Sequence, residues 1–295
     1  MTRLSGKLWD HDNSNLQGIH IRIATYNLQD LFLDGPDAKP HAAKRAMRRL
    51  IQLVDADVLA VQEVGSVEAL QDLNAGLERP YAYIGLLPGN SNRSIHLGVL
   101  SRYELKLTSH ANVPLYDREG NRLRGFVMEE DALTGTKRDI RLQRDILLAQ
   151  FCVDGLNFGC FIVHLKSKWS PAWVDLGTDQ LRTAEARCLS RLVTEYCDEH
   201  VDDEVVVLGD FNDVSSSDAM APLRALHFTD PHRRPKRSIG RNPTTYWPRR
   251  RKRIDRIYLR GKTAERVQEG SQTIHAGEMA KQASDHYPVS VMLNT

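Results

Sequence analysis

The segment Glu204-Val205-Val206-Val207-Leu208-Gly209-Asp210-Phe211-Asn212-Asp213 decides how this 295-residue chain is read. Four consecutive apolar residues, three of them β-branched, predict a buried strand. Gly209 predicts its end. Asp210 and Asn212 follow at the mouth of the strand, two residues apart, so an extended backbone turns both to one side. Two hard oxygen donors at the end of a buried strand suit a Mg²⁺-assisted phosphoryl site. An Asx turn capping the strand uses the same residue types, and the segment alone leaves both readings open.

Other apolar runs end in the same way. Residues 19–26 alternate and end at Asn27, and residues 58–61 end at Gln62-Glu63. Residues 95–100 end at Ser101-Arg102, and 158–163 end at His164-Leu165-Lys166. Arg144 opens the run Ile146–Val153, Asp255 lies near the start of 254–259, and Ser284-Asp285-His286 opens 287–293. Short β-branched runs of this kind predict strands. Between them, His41–Val54 carries apolar residues at 43, 46, 47, 50, 51 and 54, the spacing of an amphipathic helix. Residues 179–196 repeat it at 181, 184, 188, 189, 192, 193 and 196, and 67–76 is a weaker helix.

Strands alternating with helices predict an α/β chain. The stretch 95–165 has too few helices for a purely parallel sheet, so the expected sheets are mixed or antiparallel, packed together and flanked by helices. Residues 1–18 read as a polar N-terminal extension and 19–295 as a single domain. Two long irregular stretches, 116–138 and 231–248, are flanked by site-like residues and read as substrate-contacting loops.

No window approaches the ~20 apolar residues of a membrane span, and the polar N-terminus has no apolar core of a secretory signal. The cysteines Cys152, Cys160, Cys188 and Cys197 form neither a CxxC pair nor a zinc spacing. Cys152 and Cys160 lie in strand-like runs and read as buried free thiols. A reducing, cytoplasmic setting follows, with no obligate protein partner implied. Charge is uneven: residues 233–260 hold twelve Lys/Arg and one acid, a local +11, so with +2 overall the remainder sums to −9. A basic run is commonly a solvated loop. Beside a candidate catalytic carboxylate it suits a polyanionic substrate better.

The polar residues at the run ends are Asn27, Glu63, His164, Asp210, Asn212, Asp255, Asp285 and His286. Each has a plain structural reading: Asn27 as a turn cap, Glu63 as a surface acid, His164 as a satisfied core histidine, Asp285-His286 as loop. Together they differ, because strand ends gather at one edge of an α/β sheet, where crevices form. Carboxylates, amides and two histidines there suit metal-assisted hydrolysis. Arg144 and Lys166 could clamp phosphate oxygens, or be solvated strand-end cations.

Six segments, in this order, resemble the endonuclease/exonuclease/phosphatase superfamily, the group that includes deoxyribonuclease I. They are Ala24-Thr25-Tyr26-Asn27, Val61-Gln62-Glu63-Val64, Val163-His164-Leu165-Lys166-Ser167-Lys168, Leu208-Gly209-Asp210-Phe211-Asn212-Asp213, Arg253-Ile254-Asp255-Arg256-Ile257 and Ala283-Ser284-Asp285-His286-Tyr287-Pro288-Val289. The resemblance implies a four-layer α/β-sandwich, two face-to-face mixed β-sheets with helices outside. It implies Glu63 as the principal Mg²⁺ ligand, with Asn27 and Asp285 in the metal shell and Mn²⁺ as a substitute. Asp210 and Asn212 would position or activate the attacking water and hold the phosphate. Asp255 would orient His286, as general base or as donor to the phosphoryl oxygens. His164 resembles the second histidine of the deoxyribonuclease I branch, a candidate acid for the leaving oxygen.

The basic window favours a nucleic-acid backbone, DNA over RNA, with Arg249, Arg250 and Arg251 on phosphates and Tyr246 and Trp247 stacking on bases or packing in the protein. The expected activity is a divalent-metal-dependent nuclease. A phosphodiesterase or phosphatase on a small or lipid-borne phosphate, and an inactive nucleic-acid-binding scaffold, are the alternatives.

Overall fold

Strand side chains alternate between two faces, and here both faces of each main sheet are covered. The computed structural model describes residues 20–126, 129–168, 176–233, 243–245 and 252–295. In chain order the elements are β1 (His20–Leu31), α1 (His41–Val54), β2 (Val58–Val64), α2 (Val67–Ala75), β3 (Tyr83–Leu87), β4 (His96–Ser101), β5 (Lys106–Ser109), β6 (Arg124–Gly125), α3 (Glu129–Thr134), β7 (Arg138–Asp139), β8 (Ile146–Val153) and β9 (Leu156–His164). They continue with α4 (Thr178–Glu199), β10 (Glu204–Asp210), α5 (Ala221–Arg224), β11 (Asp255–Arg260), α6 (Lys262–Glu265), β12 (Thr273–Ile274), α7 (Glu278–Ala283) and β13 (Val289–Asn294).

One sheet has six strands in the order β12-β13-β1-β2-β4-β3, the other five in the order β11-β10-β9-β8-β5. Each contains one parallel pair, β1 with β2 and β9 with β10, and is otherwise antiparallel. Parallel neighbours need a long crossover, which α1 and α4 supply. The inner faces meet in a core that includes Ile21, Ile23, Val58 and Ala60 from the first sheet and Cys160, Ile162, Val206 and Leu208 from the second. On the outer face of the first sheet, α1, α2 and α7 bury Met47, Leu70 and Ala280. On that of the second, α4 buries Leu181, Leu189 and Val193 against Val205 and Val207. The layers are therefore helix, sheet, sheet, helix: the expected sandwich.

Several boundaries differ from the sequence reading. β1 runs past Asn27 to Leu31, and β2 past Gln62 to Val64. β10 continues through Gly209 to Asp210. Gly209 does not end the strand; it lets two strands approach. Its φ is +140°, and a Cβ there would lie 2.0 Å from the Val163 carbonyl oxygen of β9, so only glycine fits. The stretch 116–138 is not wholly irregular, since it carries β6, α3 and the start of β7. Cys152 is exposed rather than buried, because it lies near the end of β8, past Ile146 and Leu148, the buried core residues of its face; Cys160 is buried, and all four thiols are free. No helix among the described residues is long and apolar enough to cross a membrane.

Candidate active site

The site is the polar end of the inter-sheet core. Ile21 and Ile23 point inward from β1, and two and four residues on come Thr25 and Asn27. Cys160 and Ile162 are followed by His164, and Val206 and Leu208 by Asp210. On antiparallel β11 the inward row Leu259, Ile257 leads back to Asp255. The C-terminal parts of three strands and the N-terminus of a fourth thus place acids, an amide and an imidazole at one edge. Asp210 pairs in register with His164 on one side and Asp255 on the other, so three functional side chains share one face of adjacent strands.

Glu63 breaks the alternation. Val58 and Ala60 face inward, which would send residue 63 outward. Its φ is +61°, and the register of β2 shifts between Val61 and Val64. This bulge re-aims the side chain, bringing Glu63 Oε1 to 3.4 Å from Asn27 Nδ2 and 3.6 Å from His164 Nε2. Gln29, Asp30 and Asn212 also have φ between 51° and 53°. Left-handed backbone is uncommon outside glycine, and four such residues meet here, as strained positions do at functional sites.

Asp210 Oδ2 is the centre of the contacts. It accepts hydrogen bonds from Asn27 Nδ2 at 3.1 Å and Asn212 Nδ2 at 3.3 Å, and faces His164 Nε2 at 3.5 Å and His286 Nε2 at 3.9 Å. Its Oδ1 accepts the Asn212 N–H at 2.8 Å, so the Asx turn and the site are one structure. His286 Nδ1 lies 3.0 and 2.9 Å from the two Asp255 oxygens. Ser284 Oγ donates to the Asn27 carbonyl and accepts the His286 N–H, tying the turn before β13 to β1.

Burial and charge separate the protonation states. Burial pushes the Asp210 carboxyl up to about 7, helped by the neighbouring Asp255 charge. Burial works to lower His286, but Asp255 and Asp210 outweigh it and hold the imidazole well above its ordinary range. His164 is held well below that range by burial and by the Arg144 cation. Two histidines a few ångströms from one carboxylate therefore carry opposite states, His286 cationic and His164 neutral.

The strand-end cations Arg144 and Lys166 are buried, not solvated. Arg144 Nη1 and Asn212 Nδ2 both donate to the Leu165 carbonyl, at 2.8 and 2.9 Å. Burial lowers Lys166, and Arg144 and Arg93 lower it further. With cationic His286, four positive charges thus act on His164: Arg144, His286, Arg93 and Lys166. Sequence reasoning missed Arg93, which binds Asp30 through both carboxylate oxygens at 2.6 and 2.8 Å. It also missed Gln29, whose Oε1 accepts the Asp285 N–H, and Lys39, whose ammonium pKa is lowered by burial against the opposing pull of Asp285, Asp30 and Glu63. No periodicity marks these three. Arg249, Arg250, Arg251, Tyr246, Trp247 and the extension 1–18 lie outside the described residues.

The donors fit a hard divalent cation. Glu63 Oε1 lies 3.4 Å from the Asn27 amide and Asp285 Oδ1 3.9 Å from His286 Nε2, and the two carboxylates keep 14% and 20% of their side chains exposed. A second group, Asp210, Asp255 and His286, has ligand atoms within 4.8 Å of one another. There the His286 ring nitrogen facing Asp255 is already committed to hydrogen bonding. Oxygen donors without thiolate suit Mg²⁺ or Mn²⁺.

The model of the endonuclease/exonuclease/phosphatase family matches residues 15–286. The chain belongs to this family. Family members are metal-dependent phosphoester hydrolases, and the site just described has the residue types that chemistry uses. No curated protein is close enough in sequence to match. Among solved structures, truncated TDP2 of Caenorhabditis elegans is 14% identical with a TM-score of 0.60, covering 94% of this chain and 98% of its own. An endonuclease/exonuclease/phosphatase from Bacteroides vulgatus is 19% identical with a TM-score of 0.62, covering 93% and 98%. The human nocturnin catalytic domain is 14% identical with a TM-score of 0.59, covering 92% and 93%. At such identity the likeness is one of fold.

Proposed function

We propose that this family member is a divalent-metal-dependent nuclease acting on DNA in preference to RNA. The observation that carries the reading is the Asp210 carboxylate, held between Asn27, Asn212, His164 and His286. Glu63, Asn27 and Asp285 are the residues assigned to the cation. When bound, a divalent cation supplies charge neutralisation at the phosphate and at the leaving oxygen.

The protein groups divide the remaining work. Asn212 and Asp210 hold the water for in-line attack. Asp210, with its carboxyl near 7, is suited to take the proton from that water at neutral pH. His286, cationic and fixed by Asp255, donates to a phosphoryl oxygen. His164 serves the leaving-oxygen side, where an arriving phosphate offsets the cations that, together with burial, keep it neutral. Arg144 and Lys166 take the non-bridging oxygens, and Arg249, Arg250 and Arg251 the flanking backbone. Nocturnin's catalytic domain was solved with sulfate bound, a tetrahedral anion of the class assigned to this site.

Supercoiled-plasmid nicking tests the reading. Cleavage that needs Mg²⁺ or Mn²⁺, stops with chelator and is lost in His286→Ala and Asp210→Ala is expected. Cleavage surviving both substitutions, or none on DNA or RNA beside turnover of a small phosphodiester, overturns it.

A further inference from the structure

Past the His164–Asp210 register pair, β9 and β10 separate. The last backbone bond between them runs from the Leu165 N–H to the Asp210 carbonyl at 2.9 Å. Beyond it helix α4 takes over. Glu185 Oε2 accepts the Lys166 N–H at 2.6 Å, and Arg182 Nη1 donates to the Lys166 carbonyl at 2.9 Å. The backbone of one residue, Lys166, is thus held at both its N–H and its carbonyl by residues three apart on one helix face. Arg182 Nε also donates to Asp213 Oδ2 at 3.1 Å, and its other nitrogen binds Asp179. Lys168 Nζ reaches Asp213 Oδ1 at 3.0 Å.

Arg182 is fully buried, at 0% exposure, and Glu185 and Asp213 nearly so. Well-packed apolar residues would serve stability as well or better than such buried charges. The arrangement gains placement instead. The gripped residue, Lys166, follows Leu165, whose carbonyl takes Arg144 and Asn212, and it lies two residues from His164. Asp213 lies one residue from Asn212. Each loop leaving the sheet is thus fixed to α4 within two residues of a site side chain.

We infer that Arg182 and Glu185 are positioning residues for the reaction, setting the geometry of the His164–Lys166 and Asp210–Asp213 segments without touching substrate. The inference rests on the phosphodiesterase reading of the site. Its placement half can be measured without turnover.

The test uses the full chain with Arg182→Lys, Glu185→Leu and Glu185→Gln. Lysine keeps the charge but cannot serve three acceptors from a fixed fork. Glutamine still offers an oxygen to the Lys166 N–H, and leucine does not. Hydrogen exchange should quicken in peptides covering 164–168 and 210–214 in Arg182→Lys and Glu185→Leu, with the interiors of β9 and β10 unchanged. On bis(p-nitrophenyl) phosphate with Mn²⁺, kcat should fall about 10²-fold at nearly constant KM, the cost of a misplacement near 1 Å. Glu185→Gln should restore most of the kcat that Glu185→Leu removes. Unchanged local exchange, exchange raised uniformly across the fold, or local loosening with full kcat overturns the inference. A wild-type protein that turns over no phosphodiester counts against the proposed function instead, and the exchange measurement then decides the placement by itself. Should Glu185→Leu not fold, Arg182→Lys carries the same expectations.

Discussion

Asp255 receives the His286 imidazole through both of its carboxylate oxygens, at 3.0 and 2.9 Å from Nδ1. This contact fixes the ring plane, places a proton on Nδ1 and leaves Nε2 turned toward Asp210. Asp255→Asn keeps the shape of the side chain but removes its charge and one acceptor. The cation on His286 then loses its largest support. We expect kcat to fall by about 10²–10⁴-fold, with the alkaline limb of the kcat–pH profile moving to lower pH, because His286 deprotonates earlier. A profile that stays in place would detach His286 from the reaction.

Metal placement has a direct test. If Glu63, Asn27 and Asp285 hold the cation, Glu63→Gln should weaken Mn²⁺ binding by more than about tenfold, measured by electron paramagnetic resonance or calorimetry without substrate. Asp255→Asn should change it far less. The reverse ranking would move the cation to the Asp210, Asp255 and His286 group.

The residues legible in the sequence share a cause. Asn27, His164, Asp210 and Asp255 each extend an inward-facing row of β-branched or apolar residues by one step, and period-2 alternation carries that information in the chain. α1 appeared with its observed ends because its apolar spacing is regular. Glu63 was legible as a strand-end acid, but not its aim, which depends on one left-handed residue. The grip of α4 was hidden for another reason. Arg182 and Glu185 border the helix's apolar stripe, where charged side chains usually reach water, and only the divergence of β9 and β10 creates buried peptide groups for them to satisfy. Arg93 and Lys39 are brought in by loops whose course no periodicity encodes.

The closeness of β9 and β10 at Gly209 is a stability statement. Alanine there would meet the Val163 carbonyl oxygen at 2.0 Å at a φ of +140°, and backbone cannot yield as a flexible side chain does. Gly209→Ala should lower stability by about 3 kcal/mol or more, read as a lower urea midpoint at constant slope. A midpoint within error of wild type would mean that the two strands separate at little cost.

Acid stability should depend on two histidines that are not part of the site. His232 Nε2 meets the Ser290 carbonyl at 2.9 Å, which places its proton there. His275 Nε2 meets Ser290 Oγ at 2.8 Å. Burial lowers both, His275 to about 4, with the Arg22 charge adding to the effect on His275. From about pH 6.5 down to about 4 the unfolded chain binds more protons than the folded one. Their contribution to stability is therefore complete above that window and is lost as pH falls through it. Asp210, raised in the fold, contributes with the opposite sign, so a variant comparison isolates the histidines. The urea midpoint of His275→Gln should fall less between pH 7 and pH 4.5 than that of wild type. Equal slopes would remove His275 from acid stability.

The basic window offers a prediction independent of catalysis. Residues 233–260 carry +11, but not all of that charge is available to a polyanion. Arg253 is bound through both forks to Asp230 at 2.9 and 2.6 Å, and buried Arg256 shares the same carboxylate. Arg249, Arg250 and Arg251 are the residues assigned to DNA phosphates. With all three changed to alanine, the dependence of log K on log salt should flatten by about 0.9 for each arginine–phosphate pair removed on duplex DNA, or about 0.7 on a single strand. Nicking by the variant should weaken mainly through KM, because none of the three is placed at the reacting phosphate. An unchanged salt slope would take the arginine run out of the substrate path, and would favour a small phosphodiester held by Arg144 and Lys166 alone.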